Sequence, residues 1–482
     1  MVSRSYKFKE KRLPKAASAL LLASTALTLG ACATLPTPAK HEAPKAVSAY
    51  ATERSFAAPS AAGWPADHWW EEFSDPQLSA LITEGVAGAS DMRIANARFA
   101  AAQAVVGEAR SALMPSINAE GAVIEVKPSQ ELFQTRTNGW NAVGDVSLSG
   151  SWTIDFWGKN RAALRSTQDL ARAAEAEAAQ ARLAVSTGIA GAYANLASLY
   201  QERDAADDAL NVRRKTAALM EDRRQHQLEN QGAVARARSN EAAAEAELAA
   251  IDEAIAINRN QIAALMGEGP DRGLAIQRPG LPATTAFGLP EHLPAELLGR
   301  RPDVVAARYR VSAAAEHIKQ AKAGFYPNVD LVGLAGVQSL GISNLFTSNA
   351  KYGAVGPAIS LPIFDGGRLR AQYRGAEADY AEAVAAYDGT LTNALSEVAD
   401  VTASSRALDN RLDSSREAEK EAQAAWVIAN NRYRGGLSTY LDVLTAEDAL
   451  IRARRAVADL NARAFTLDVA LIRALGGGYN HA

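Results

Sequence analysis

A single cysteine in 482 residues excludes a disulfide framework and any cysteine-built zinc cluster. A basic surplus is missing too: 51 Lys and Arg stand against 54 Asp and Glu, a formal net charge of −3. Nucleic-acid binders need that surplus to displace counterions from phosphate, so no nucleic-acid partner is expected. The six histidines, at 41, 68, 226, 292, 317 and 481, form no pair at metal-ligand spacing on one helix. No G-x-S-x-G elbow and no Walker sequence occurs. Gly476-Gly477-Gly478 follows a helical stretch and precedes none, which excludes a phosphate loop. Neither catalysis, a metal nor a cofactor is expected. Proline is absent between Ser129 and Gly269 and again after Pro362. Alanine fills the chain instead, at roughly a fifth of all residues. Such a composition has few large side chains for a thick core and predicts long helices that approach each other closely.

Residues 4–15 carry Arg4, Lys7, Lys9, Lys11, Arg12 and Lys15, followed by an apolar stretch from Ala16 to about Gly30. This is a signal-peptide layout, 1–31, too short for a membrane-spanning helix. It ends Leu29-Gly30-Ala31-Cys32, which resembles the lipobox of bacterial lipoproteins. That chemistry needs a small residue before the cleaved bond and a thiol to carry the lipid. Cys32, where the only cysteine falls, is the expected lipidation site; the alternative is an ordinary signal peptide with a chance cysteine. Cleavage there removes six basic residues and one acid, leaving 45 against 53 and a net charge of about −8. Ala33, by resemblance to lipoprotein sorting, suggests passage to the outer membrane. Residues 32–68, with Pro36, Pro38, Pro44, Pro59 and Pro65, read as a lipid-anchored extended arm.

The remainder is one design used twice. Leu113-Met114-Pro115 pairs with Phe325-Tyr326-Pro327, Ile154-Asp155-Phe156-Trp157-Gly158 with Ile363-Phe364-Asp365-Gly366-Gly367, and Ala264-Leu265-Met266-Gly267 with Ala474-Leu475-Gly476. The expected repeats are 69–266 and 303–478, joined by a Pro/Gly-rich linker, 267–302, with a tail at 479–482. Each runs helix, two strands, then a long helical hairpin. The stretches from about Gly158 to Asn230 and Gly366 to Asn431 would each span roughly 100 Å as helix. Val398, Val401, Ser405, Leu408 and Leu412 keep the spacing of a coiled-coil seam.

The expected strands are about 116–127, 141–155, 327–338 and 351–364. In the second, Val146, Leu148, Gly150, Trp152 and Ile154 alternate with Asp145, Ser147, Ser149, Ser151 and Thr153. Val355, Ile359, Leu361 and Ile363 repeat the pattern more loosely, and the first and third strands alternate imperfectly. One apolar and one polar face suits a wall between lipid and a wet lumen; a soluble sheet is the alternative. Trp140, Trp152, Trp157, Tyr326, Tyr352 and Phe364 are the expected membrane-interface aromatics. Four strands cannot close a barrel, and open edges are not tolerated in lipid, so several copies must pool their strands.

The chain resembles the outer-membrane efflux proteins, the TolC/OprM/NodT type, from Trp69 to Gly478. The resemblance is carried by Leu297-Leu298-Gly299-Arg300-Arg301-Pro302-Asp303, Ala323-Gly324-Phe325-Tyr326-Pro327, Pro357 to Arg368, and Arg432-Tyr433-Arg434-Gly435-Gly436-Leu437. It implies a membrane α+β fold: a homotrimer whose twelve-stranded outer-membrane barrel continues as a coiled-coil α-helical barrel. The loops at 128–140 and 338–351 would then face outward. It further implies a tripartite efflux pump, with a periplasmic adaptor protein and an inner-membrane pump of the RND type as partners.

The resemblance also implies where the duct closes. Asp442 matches an acid that rings the periplasmic constriction, and Leu441 an apolar residue beside it. Three such carboxylates near one axis would repel each other and have raised pKa values. A second acid common three residues later is Thr445 here. The first turn is expected at Gln231–Val234, and the step of six from Gly436 to Asp442 leads from Gly232 to Arg238. Relatives commonly place an acid there, linked to a tyrosine such as Tyr433. Arg238 is expected instead to pair with a carboxylate or pack on Tyr433, with a bland exposed arginine as the alternative. The second helix of the first half is expected to be about six residues shorter than its counterpart. Gly232 and Ala233, and Gly435, Gly436 and Leu437, are the expected adaptor-docking turns. Competing readings are a lipid-anchored periplasmic scaffold or adhesin without a pore, and the exit duct of an ATP-driven type I secretion system.

Overall fold

The computed structural model describes residues 36–38, 42–56, 62–127, 139–280, 288–290 and 293–480. The signal segment, Cys32 and residues 128–138 of the first expected external loop lie outside them. The main elements are α1 (Pro76–Gly88), α2 (Ser90–Ser111), β1 (Ser116–Val126), β2 (Asn141–Thr153), α3 (Lys159–Gln225), α4 (Gln231–Met266) and α5 (Pro270–Leu274). They continue with α6 (Leu293–Arg300), α7 (Pro302–Ala323), β3 (Asn328–Leu340), β4 (Lys351–Ser360), α8 (Arg368–Arg434) and α9 (Tyr440–Ala474). Among the described residues no helix is long and apolar enough to cross a membrane.

The chain forms two compact units. One is built on Ala102–Ala171 and Arg310–Val384, the other on Pro44–Ala101, Arg172–Tyr309 and Ala385–Ala482. The first unit holds an antiparallel sheet in the order β1-β2-β3-β4. Its register gathers Val123, Val146, Leu148, Trp152, Leu331, Val355 and Ile359 on one face, and Glu120, Asp145, Ser147, Ser149 and Asp330 on the other. The apolar face is open: Ile117 is 76% exposed and Val355 81%. β1 pairs with β2 along its whole length although its alternation is blurred by Ala119, Gly121 and Ala122. β4 stops at Ser360, four residues earlier than expected, so Leu361, Ile363 and Phe364 lie beyond the strand.

The second unit is helical. Trp69, Leu78, Leu81 and Ile82 pack with Ile189, Tyr193 and Leu196 of α3, Ile262 and Met266 of α4, and Phe465 of α9. Each such apolar side chain stabilises by roughly 1.5–3 kcal/mol. Gly267 ends α4 at φ 82°, and a Cβ there would lie 2.8 Å from the Gly88 carbonyl oxygen. The seam of α8 is filled: Val398 is fully buried, and Leu408, with Val401 and Leu412 against it, packs on Leu460, Ala464 and Leu467 of α9. Arg301, from the Arg300-Arg301-Pro302-Asp303 motif, is buried and forks onto Asp303 at 3.0 and 2.6 Å. It also donates to Glu397 at 2.7 Å and to the Ala474 carbonyl at 3.1 Å, tying three helices together.

α3 and α8 each have 67 residues, α4 has 36 and α9 has 35. The expected shortening of the first hairpin's second helix is therefore absent.

Candidate functional site

Both hairpins end within the helical unit. The first turn is His226–Asn230 and the second Gly435–Thr439. They share one pattern of main-chain hydrogen bonds. Gln227 N–H donates to Arg224 O at 3.0 Å and Leu228 N–H to Arg223 O at 2.8 Å. Gly436 N–H donates to Tyr433 O at 3.0 Å and Leu437 N–H to Arg432 O at 2.8 Å. This closure places one residue in the left-handed region. Gly436 takes it at φ 73°, and Gln227 takes it in the first turn at φ 60°.

Two expectations shift as a result. Gly232 and Ala233 are not in the turn but in the first turn of α4, where the Asn230 side chain accepts from Ala233 N–H at 3.0 Å. Matching glycine to glycine set the register wrongly, because glutamine occupies the left-handed position in the first turn. Six residues beyond that position stand Ala233 and Asp442; eleven beyond stand Arg238 and Glu447. Arg238 is thus not the counterpart of Asp442. Gly435, Gly436 and Leu437 do lie in the second turn, with Leu437 73% exposed.

Tyr433 is the centre of the assembly. It is buried with Ala217 and Met220 of α3, Ala233, Val234 and Ala237 of α4, and Val443 of α9. The Arg223 guanidinium lies 5.1 Å from its ring centroid, the place expected for Arg238. Arg238 instead reaches Glu221 at 3.5 Å, the carboxylate partner that was the other expectation. The acid at Tyr433 comes from the turn: its hydroxyl donates to Glu229 at 3.4 Å. Burial pushes the phenol up, Arg223 pulls it back, and Glu229 adds to the rise.

Asp442, Leu441 and Thr445 begin α9, all exposed. Asp442 accepts from both the Thr439 hydroxyl and the Thr439 N–H at 2.9 Å, closing a capping box. Those bonds, hydroxyl first, hold its carboxyl below the usual range. Within one chain the shift is opposite to the rise expected of a ring of three carboxylates. The Thr445 hydroxyl donates back to Leu441 O at 2.8 Å and so faces its own helix.

Two further features of the hairpin end go beyond the sequence expectations. The capping box is legible as Thr-x-x-Asp at 439–442. Glu447 is legible as the one acid at seam spacing between Val443 and Leu450. Its side chain is 4% exposed, with Arg213 Nε 3.7 Å away, and burial pushes its carboxyl up to about 7.

In the sheet unit, Trp157 stacks on Tyr326 at 4.7 Å, and its ring N–H donates to Pro327 O at 2.8 Å. The Trp152 N–H donates to Leu113 O at 3.0 Å from the apolar face. Trp140 and Phe364 are exposed. Tyr352 departs from this set. It pairs with Gly336, opposite Ser147, and donates to Asp145 at 2.9 Å, so it stands on the polar face.

The model of the outer membrane efflux protein family matches residues 81–268 and 293–477. The chain belongs to the outer membrane efflux protein family. It is 40% identical over 377 residues to the fusaric acid resistance protein FusA of Burkholderia cepacia, covering 76% of this chain and 70% of that protein. It is 27% identical over 430 residues to the multidrug resistance outer membrane protein MdtP of Escherichia coli, covering 87% and 88%. The crystal structure of VceC, an outer membrane protein of Vibrio cholerae, superposes with a TM-score of 0.82 at 45% identity, covering 86% of this chain and all of that one. This efflux protein therefore works in the outer membrane, as the channel component of an efflux system. The family is one of transport ducts rather than enzymes.

Proposed function

We propose that three copies close a twelve-stranded barrel and serve as the passive exit duct of a tripartite pump. One observation carries the reading. The sheet ends in β1 and β4, whose outer edges have no partner among the described residues, and its exposed face is apolar. An open edge is not tolerated in lipid, and pairing β4 of one copy with β1 of the next removes every edge. The two-fold repeat supplies two strands and one hairpin per half, and the hairpins of three copies form the periplasmic tunnel. Cys32 carries the lipid anchor. Asp442 and Leu441 line the constriction, and Gly435–Leu437, together with the first turn at His226–Asn230, dock a periplasmic adaptor. The inner-membrane partner is a proton-driven pump of the RND type. The resistance named for FusA and MdtP supports small toxic compounds as cargo.

The test is conductance of purified protein in planar bilayers, wild type against Asp442→Ala. Small, cation-selective, rarely open currents that grow in the variant are expected. Protein that carries no current and leaves the membrane on carbonate extraction, once its lipid is removed, would establish a scaffold instead.

A further inference from the structure

Glu447 is an acid in an apolar seam. It lies on the buried stripe of α9 between Val443 and Leu450, and neither carboxyl oxygen has a hydrogen-bond partner among the described residues. Arg213 of α3 stands 3.7 Å away, too far to donate, and commits its Nη2 to Asp448 at 2.7 Å. The other groups around it are Tyr440 and Asp448 of its own helix, and Tyr433 of α8, 6.0 Å from Tyr440 between ring centroids. From α4 come Asn240, against Tyr440, and Glu247, within electrostatic reach of Arg213. A carboxylate held this way lacks the donors that would stabilise its charge, so ionisation demands either water or movement. Glu447 also sits one helical turn behind Val443, a member of the Tyr433 cluster that joins all four hairpin helices. Movement at Glu447 is therefore movement of the hairpin end.

We propose that Glu447 is a proton-operated switch: protonated, it keeps the start of α9 seated on α3; ionised, it drives those turns off their seat and favours the open duct. The inference rests on the gated-duct reading above. The sign follows from burial. In the seated state the carboxyl is pushed up to about 7, while in the displaced, hydrated state it returns toward its ordinary 4.5. The seated state is fully favoured below 4.5, and as pH rises from there to about 7 it loses up to roughly tenfold per unit. Above that the dependence levels off.

The test is open probability in planar bilayers from about pH 4.5 to about pH 8 for wild type and Glu447→Gln, which keeps shape and polarity without a charge. Wild type is expected to open at least roughly tenfold more often at the alkaline end, and Glu447→Gln to stay at the acid-side level throughout. Repeating both with His226→Asn tests the profile without the exposed imidazole of the first turn. A wild-type pH profile in Glu447→Gln overturns the switch and leaves the duct standing. No current from either protein overturns both. Should the variant fail to assemble, amide exchange over Leu441–Leu450 in the wild type decides. After correction for intrinsic pH dependence, exchange that rises with pH supports the switch and a flat profile overturns it.

Discussion

The two hairpin ends share a backbone and differ in chemistry. Both first helices run 67 residues, and both turns close with the same pair of hydrogen bonds. At the left-handed position, however, one has Gln227 and the other Gly436. Six residues on they have Ala233 and Asp442, and eleven on, Arg238 and Glu447. The same main-chain hydrogen bonds close both turns, so most side chains there are free to diverge. The divergence is one-sided. The second hairpin concentrates the buried tyrosine, the capping box and the buried acid, while the first supplies mostly the surface they pack on.

The comparison breaks most readily at Tyr433. Tyr433→Ala empties the cluster shared by four helices and should cost about 3–5 kcal/mol, read as a fall in the thermal or denaturant midpoint. Its counterpart three residues before the left-handed position is Arg224, paired with Glu221 on the surface, and Arg224→Ala should barely shift the midpoint. Equal losses would mean that both ends are load-carrying alike.

Next comes the left-handed position itself. Gly436→Val should destabilise by about 1–2 kcal/mol, whereas Gln227→Gly should stabilise, because only the first turn now holds a side chain there. Two changes of the same sign would contradict the shared closure.

The caps should be smaller. Thr439→Ala and Asn230→Ala should each cost about 1 kcal/mol and raise amide exchange in the following helical turn. Only the second cap depends on pH. The Asp442 carboxyl is lowered by Thr439, so its contribution is present above the ordinary value of 3.8 and lost as pH falls through the lowered one. Glu447, in the same helix, has the opposite sign.

Much of this was legible from spacing. Strand β2 follows from period-two alternation, and the Val398–Leu412 seam from its heptad-like steps. The imperfect strand β1 followed because pairing with β2, not its own pattern, holds it. What misled was glycine. It is the default left-handed residue, so pairing Gly232 with Gly436 places the first hairpin end five residues too late. Tyr352 misled for a related reason: an aromatic near a strand end suits either face, and only the register sends it to Asp145. At Glu447 the charge suggests surface, while the seam spacing with Val443 and Leu450 argues for burial.

The smallest expected effect lies at Arg238, and it isolates what burial does. Arg238 and Glu447 occupy the same hairpin position, yet the arginine side chain is 65% exposed and 3.5 Å from Glu221, while the glutamate side chain is 4% exposed. An exposed pair at that distance gains little from charge, because water screens it and two long side chains lose freedom to hold it. Arg238→Ala should therefore change conductance and closed-state lifetime by less than about twofold, and added salt should erase even that. A closed lifetime shortened well beyond this in the variant would make the Arg238–Glu221 contact a latch. It would also mean that the same hairpin position governs opening in both halves through charge, whether or not the group is buried.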